Sequence, residues 1–81
     1  MTTSVYTTTY KYFRELLVEQ RHSKNLTQIE LAKLINRPQS FVSKYESGER
    51  RLDIIEFIEI AEVLGIDIDS FIFKLKEKVV R

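Results

Sequence analysis

Eighty-one residues with a net charge of +1 and no cysteine make one small domain, too short to hold a separate catalytic or effector-binding unit. The absence of thiols excludes a disulfide framework and a thiolate metal site, and it fits a reducing cytosol. No apolar run reaches the length of a membrane span, and the opening MTTSVYTTTY has neither the basic nor the apolar region of a signal peptide.

The small net charge conceals a polarity. Residues 1–51 hold nine Lys/Arg against five Glu, whereas residues 52–81 hold four Lys/Arg against seven Asp/Glu. A basic half and an acidic half on one small domain are what a protein needs that presents one side to a polyanion. Two glycines and one proline predict a helical chain, and five helices follow in order. Residues 1–5 carry no pattern and are expected to be frayed. From about residue 7 to residue 22, Tyr6, Tyr10, Phe13 and Leu17 recur at i, i+4, i+7 and i+11, with Leu16 beside them, as one apolar stripe. Tyr12 lies off it. Arg21 falls one turn beyond Leu17, at the border of the core. His22 has no second His and no Cys to join it, so it reads as a surface residue near a helix end and not as a metal ligand.

The second helix starts at Thr27, an N-cap whose capping box is completed by Glu30. Leu31, Leu34 and Ile35 are expected to face inward, and the small Ala32 permits close approach of the next helix. Asn36 suits the left-handed residue that ends a helix, and Pro38 suits the start of the third. On the third helix Gln39, Ser43, Ser47, Ser40 and Lys44 fall within about 140° of one another. Val42 and Tyr45 lie opposite. Phe41 sits at the edge, placed equally for the core or for a thymine methyl. A solvent face of ordinary kind carries long charged pairs. This one carries small groups and hydrogen-bond donors, the set that a helix in the major groove uses, where Gln can read adenine and Lys guanine.

Gly48 suits the left-handed stop after this helix, and Glu49, Arg50 and Arg51 form a charged loop. Asp53 caps the fourth helix, with Glu56 completing a capping box. Its expected buried stripe is Ile54, Phe57, Ile58, Ala61 and Leu64, flanked by Ile60, with Ile55 and Val63 pointing outward. Gly65 ends it. Asp67 or Asp69 caps a fifth helix that runs to about residue 78, where Phe71, Ile72 and Leu75 can close the core. Phe73 and Val79 add apolar surface beyond what the core needs, a pattern that marks an interface.

Residues 26–52, LTQIELAKLINRPQSFVSKYESGERRL, resemble the phage-repressor-like helix-turn-helix family, also called XRE or lambda-repressor-like. The matching elements are Leu26-Thr27-Gln28, Leu31-Ala32, Gln39-Ser40, Val42-Ser43 and Glu46 with Gly48, in order and without gaps, and the similarity extends over roughly residues 13–73. The resemblance implies an all-α, compact five-helix lambda-repressor-like domain with the helix-turn-helix at helices 2 and 3. It also implies a structural ion pair between Arg21 and Glu46. Asn25 stands where many members carry Gly, in a left-handed position. Gln28 is implied to touch a DNA phosphate and to brace Gln39, and the loop with Arg50 and Arg51 to touch phosphate as well.

The expected function is therefore sequence-specific binding of double-stranded DNA by a small transcriptional regulator, a repressor that blocks promoter access. Gln39, Ser40, Ser43 and Lys44 are expected to face base edges, and Gln28, Arg37, Arg50 and Arg51 to hold phosphate. One recognition helix reads only a few base pairs, so a homodimer on a pseudo-palindromic operator is expected, joined through Ile55, Val63, Phe73 and Val79. The whole chain, 1–81, is read as a single domain, with 69–81 as the C-terminal helix and tail that serve the dimer. No catalytic set, metal, cofactor, membrane contact or small-molecule effector is expected, and the location is cytoplasmic, on the nucleoid. The alternatives are a restriction-modification controller protein, the antitoxin of a toxin–antitoxin pair, or a protein-interaction module that kept the fold.

Overall fold

The computed structural model describes the backbone of residues 3–79 and the side chains of residues 8–79. Five α-helices follow one another: α1 (Thr3–Ser23), α2 (Gln28–Leu34), α3 (Gln39–Ser47), α4 (Ile54–Leu64) and α5 (Ile68–Val79). No strand occurs among the described residues. α1 begins at Thr3, ahead of the expected start near residue 7. Of the patternless residues 1–5, Met1 and Thr2 lie outside the described residues, as does the side chain of Tyr6.

Local chemistry sets the helix ends. The Thr27 side chain accepts from the Glu30 N–H while the Glu30 carboxylate accepts from the Thr27 N–H, and Asp53 and Glu56 repeat the arrangement at α4. A cap of this kind stabilises a helix by about 1 kcal/mol. Asp67, and not Asp69, serves α5: its carboxylate accepts from the Ser70 N–H and Oγ. Asn25 and Asn36 take the left-handed backbone at φ 58° and 59°, which their short polar side chains tolerate. Gly48 does so at φ 88°, and there a second reason applies. A Cβ on Gly48 would stand 2.9 Å from Arg14 Cζ. Arg14 donates to the Glu46 carbonyl at the end of α3, a cation placed against exposed helix-end carbonyls.

α1 is the spine, packed against both α3 and α5, while α2 and α3 pack on each other. Leu16, Leu17, Leu31, Ala32, Val42, Tyr45, Ile60, Leu64 and Phe71 form the buried core with Phe41 and Phe57. Phe13, Phe57 and Phe71 meet at centroid distances of 5.2–5.9 Å and join α1, α4 and α5; each such pair adds about 0.5–1.5 kcal/mol beyond its burial. Tyr12, without a place in the sequence pattern, packs against this core beneath Lys78 of α5, whose Nζ is 4.9 Å from the ring centroid.

Four apolar expectations are corrected. Leu34 is 54% exposed, Ile54 63%, Ile58 39% and Ile72 37%. The buried stripe of α4 is Phe57, Ile60, Ala61 and Leu64 together with the Glu56 side chain. α4 is apolar around most of its circumference, so periodicity does not single out one stripe. The aromatic triangle does: seating Phe57 against Phe13 and Phe71 turns Ile60 inward and Ile54 and Ile58 outward.

Candidate nucleic-acid interface

α3 is buried on one side through Phe41, Val42 and Tyr45, and the opposite side remains open. On the open side Gln39, Ser40 and Lys44 are exposed and Ser43 is half-buried. Ser47 joins them, its hydroxyl turned back onto the Lys44 carbonyl. The four expected base readers therefore stand together on one exposed helical face. Phe41 does not join them. It is 8% exposed and packs edge-on to Tyr45.

A chain of hydrogen bonds runs from this face into the core. Gln39 Nε2 donates to Gln28 Oε1 at 2.8 Å. Gln28 Nε2 donates to Glu46 Oε1 at 2.9 Å. The Glu46 carboxylate accepts from Arg21 Nε and Nη2, each at 2.8 Å, and Arg21 Nη1 donates to the Leu26 carbonyl. The hydrogen bond to Glu46 raises the Arg21 pKa above its ordinary value against the opposing effect of burial. With side chains 9% and 6% exposed, this pair is nearly dry, and its two-pronged geometry fixes both groups. One carboxylate thus ties α1 to α3 and, through Gln28, holds the first residue of the exposed face at α2.

The basic residues around the site divide into two groups. Arg51 is exposed, its guanidinium 4.1 Å from the Tyr10 ring centroid. Arg37 and Arg50, also expected on phosphate, pair in the unbound chain with carboxylates of α4. Arg50 Nη1 and Nη2 donate to both oxygens of Glu56 at 2.9 and 2.8 Å. Arg37 Nη2 donates to Glu59 at 3.0 Å, and its Nη1 lies 4.0 Å from Glu56. Both guanidiniums lie over the Phe41 ring at 4.7 Å. The Arg50 hydrogen bond, helped by the Asp53 N–H, pushes the Glu56 carboxyl down to about 2. Sequence reasoning saw Glu56 only as a cap and missed this second role. It also missed Arg14, whose one signal was its exclusion from the apolar stripe of α1.

The four residues expected at a dimer contact are exposed, Ile55 at 61%, Val63 at 37%, Phe73 at 64% and Val79 at 54%, but they do not share one groove. Val79 lines an open groove of about 390 Å³ with Tyr10, Leu52, Ile54 and Ile72. Val63 lines a second with Leu34, Ile58, Glu59 and Glu62. Ile55 and Phe73 line neither. Among the described residues, no group of three His, Cys, Asp or Glu is placed to hold a metal ion, and no helix is long and apolar enough to cross a membrane.

Two short helices joined by a tight turn, the second buried on one side and open on the other, define a helix-turn-helix. A family model described as Helix-turn-helix (HTH_3) matches residues 17–71. The solved structure of an XRE-family like protein from Pseudomonas syringae pv. tomato str. DC3000 superimposes with a TM-score of 0.88, at 42% identity over 94% of this chain and 93% of that one. No curated protein matches. The chain belongs to the XRE family of helix-turn-helix DNA-binding regulators.

Proposed function

We propose that the protein is a transcriptional repressor that binds a pseudo-palindromic operator as a homodimer, with α3 of each copy in the major groove. The observation that carries this reading is the braced face of α3: Gln39, Ser40 and Lys44 stand open to solvent with the half-buried Ser43 among them, and Gln39 is held by Gln28. A side chain fixed before binding loses less rotamer freedom when it docks. Gln39 supports adenine recognition and Lys44 guanine recognition, while the serines allow the backbone close to the bases. Arg51, exposed and in no ion pair among the described residues, and Gln28, the brace of Gln39, are the residues we assign to phosphate.

Two copies are required because one helix selects too few base pairs. The exposed apolar residues of α4 and α5, Phe73 foremost, supply the surface for that contact. The protein acts in the cytoplasm, on the nucleoid. The test is selection of bound duplexes from a random pool, followed by footprinting. Two half-sites about 34 Å apart, centre to centre, are expected. Recovery of duplexes without a shared sequence would refute sequence-specific binding, and a single unpaired half-site would refute the two-fold arrangement.

A further inference from the structure

Arg37 sits in the turn of the helix-turn-helix, two residues before Gln39, yet its guanidinium is drawn onto Glu59 of α4. The two arginines on the Phe41 ring are held in unequal ways. Arg50 meets both oxygens of a carboxylate that is 11% exposed and also accepts from the Asp53 N–H. That pair is locked. Arg37 meets one oxygen of Glu59 at 3.0 Å, with side chains 32% and 45% exposed, and its Nη1 comes no nearer to Glu56 than 4.0 Å. Such a pair is weak in water, and a phosphate oxygen offers the same guanidinium an equal or better partner.

We infer that Glu59 is a positioning residue for DNA binding: by holding Arg37 against α4 it competes with the DNA backbone for that cation and limits the phosphate footprint of the helix-turn-helix. The inference rests on the DNA-binding reading above. It gives α4 a part in setting affinity although α4 carries none of the base-reading residues. Glu62 supplies the natural control. It is one turn along the same helix, likewise acidic and exposed, and it lines the same groove as Arg37 without forming an ion pair with it.

The experiment measures binding of the full chain to a random-sequence DNA duplex across a salt series, because phosphate contacts do not depend on sequence. Glu59→Gln should bind about two- to fivefold tighter, the range of an exposed ion pair, with a salt slope steeper by about one. Glu62→Gln should gain less and keep the wild-type slope. Arg37→Ala should change wild-type affinity by less than about twofold and should remove the gain when added to Glu59→Gln. Equal gains for the two glutamines, or a Glu59→Gln gain that survives Arg37→Ala, would overturn the inference and reduce the effect to net charge. Failure of the wild type to bind duplex even at low salt is a separate result: it would overturn the DNA-binding reading and this inference together.

Discussion

Gln39 and Gln28 form a 2.8 Å side-chain hydrogen bond across the turn of the helix-turn-helix, and Gln28 in turn donates to Glu46. The side chain proposed to read a base is thereby oriented by a helix other than its own. Gln39→Ala should cost about 1–3 kcal/mol at one base pair of the operator, with little loss on non-specific DNA. Gln28→Ala should weaken discrimination at the same base pair, because it frees Gln39 to rotate. Competition binding against single-base variants of the operator checks both. A uniform loss across all sequences would mean that Gln39 serves the backbone.

Removing Glu46 strands two donors at once, the Arg21 guanidinium and the Gln28 amide. Glu46→Ala should lower stability by about 3 kcal/mol, since a nearly dry charge is left without its partner. Arg21→Ala should behave similarly, and the double mutant should fall well short of the sum. Chemical denaturation of the three variants measures the coupling. Full additivity would show that the pair does no joint work.

Arg50 and Arg51 are neighbours with different expected phenotypes. Arg51→Ala should weaken binding to all sequences alike and reduce the salt slope by about one. Arg50→Ala should act mainly on stability, through Glu56. The Glu56 carboxyl, about 2 in the folded chain against an ordinary 4.5, makes the sign definite. Its folded pKa is depressed, so its contribution is complete above about pH 4.5 and is lost as the pH falls toward 2. Urea melts across that window should show the loss in the wild type and a flatter acid limb in Glu56→Gln. An unchanged acid limb would remove Glu56 from the linkage.

Tyr45 is fully buried, and its hydroxyl has no hydrogen-bond partner among the described residues. Such a group carries a desolvation cost of about 1–3 kcal/mol. Tyr45→Phe should therefore fold at least as stably as the wild type, with the expected gain near 1 kcal/mol. Burial, with the Glu46 charge second, also pushes the Tyr45 pKa above its ordinary value of 10.0. Stability tied to the neutral phenol is complete below about pH 10 and is lost as the pH rises above it. The variant should thus also resist alkaline unfolding better. A clear destabilisation of Tyr45→Phe at neutral pH would show that the hydroxyl has a partner.

Phe73 is the most exposed large apolar residue described, at 64%. Phe73→Asp should yield a folded monomer with weak operator binding. Light scattering at tens of micromolar, paired with an operator titration, checks this. A monomeric wild type, together with full operator binding by Phe73→Asp, would place the contact elsewhere.

What the sequence by itself determined is what depends on residues close in the chain. Thr27 with Glu30, Asp53 with Glu56, and the left-handed Asn36 and Gly48 are contacts over three residues or single-residue backbone preferences, so the helix ends could be read directly. The polar face of α3 was legible for the same reason, since helical geometry alone brings Gln39, Ser40, Ser43 and Lys44 together. Tertiary structure decided the rest. α4 has isoleucines on several sides, and only its seat against Phe13 and Phe71 chose Ile60 for the core over Ile54 and Ile58. Arg37 meets Glu59 across 22 residues, and Arg50 folds back on Glu56 across a helix start. A basic loop residue can turn to solvent or to a nearby carboxylate with little difference in free energy, so its sequence neighbours do not settle the choice. The Phe41 ring and the buried Glu56 do, because they come together only once α3 and α4 have joined the common core.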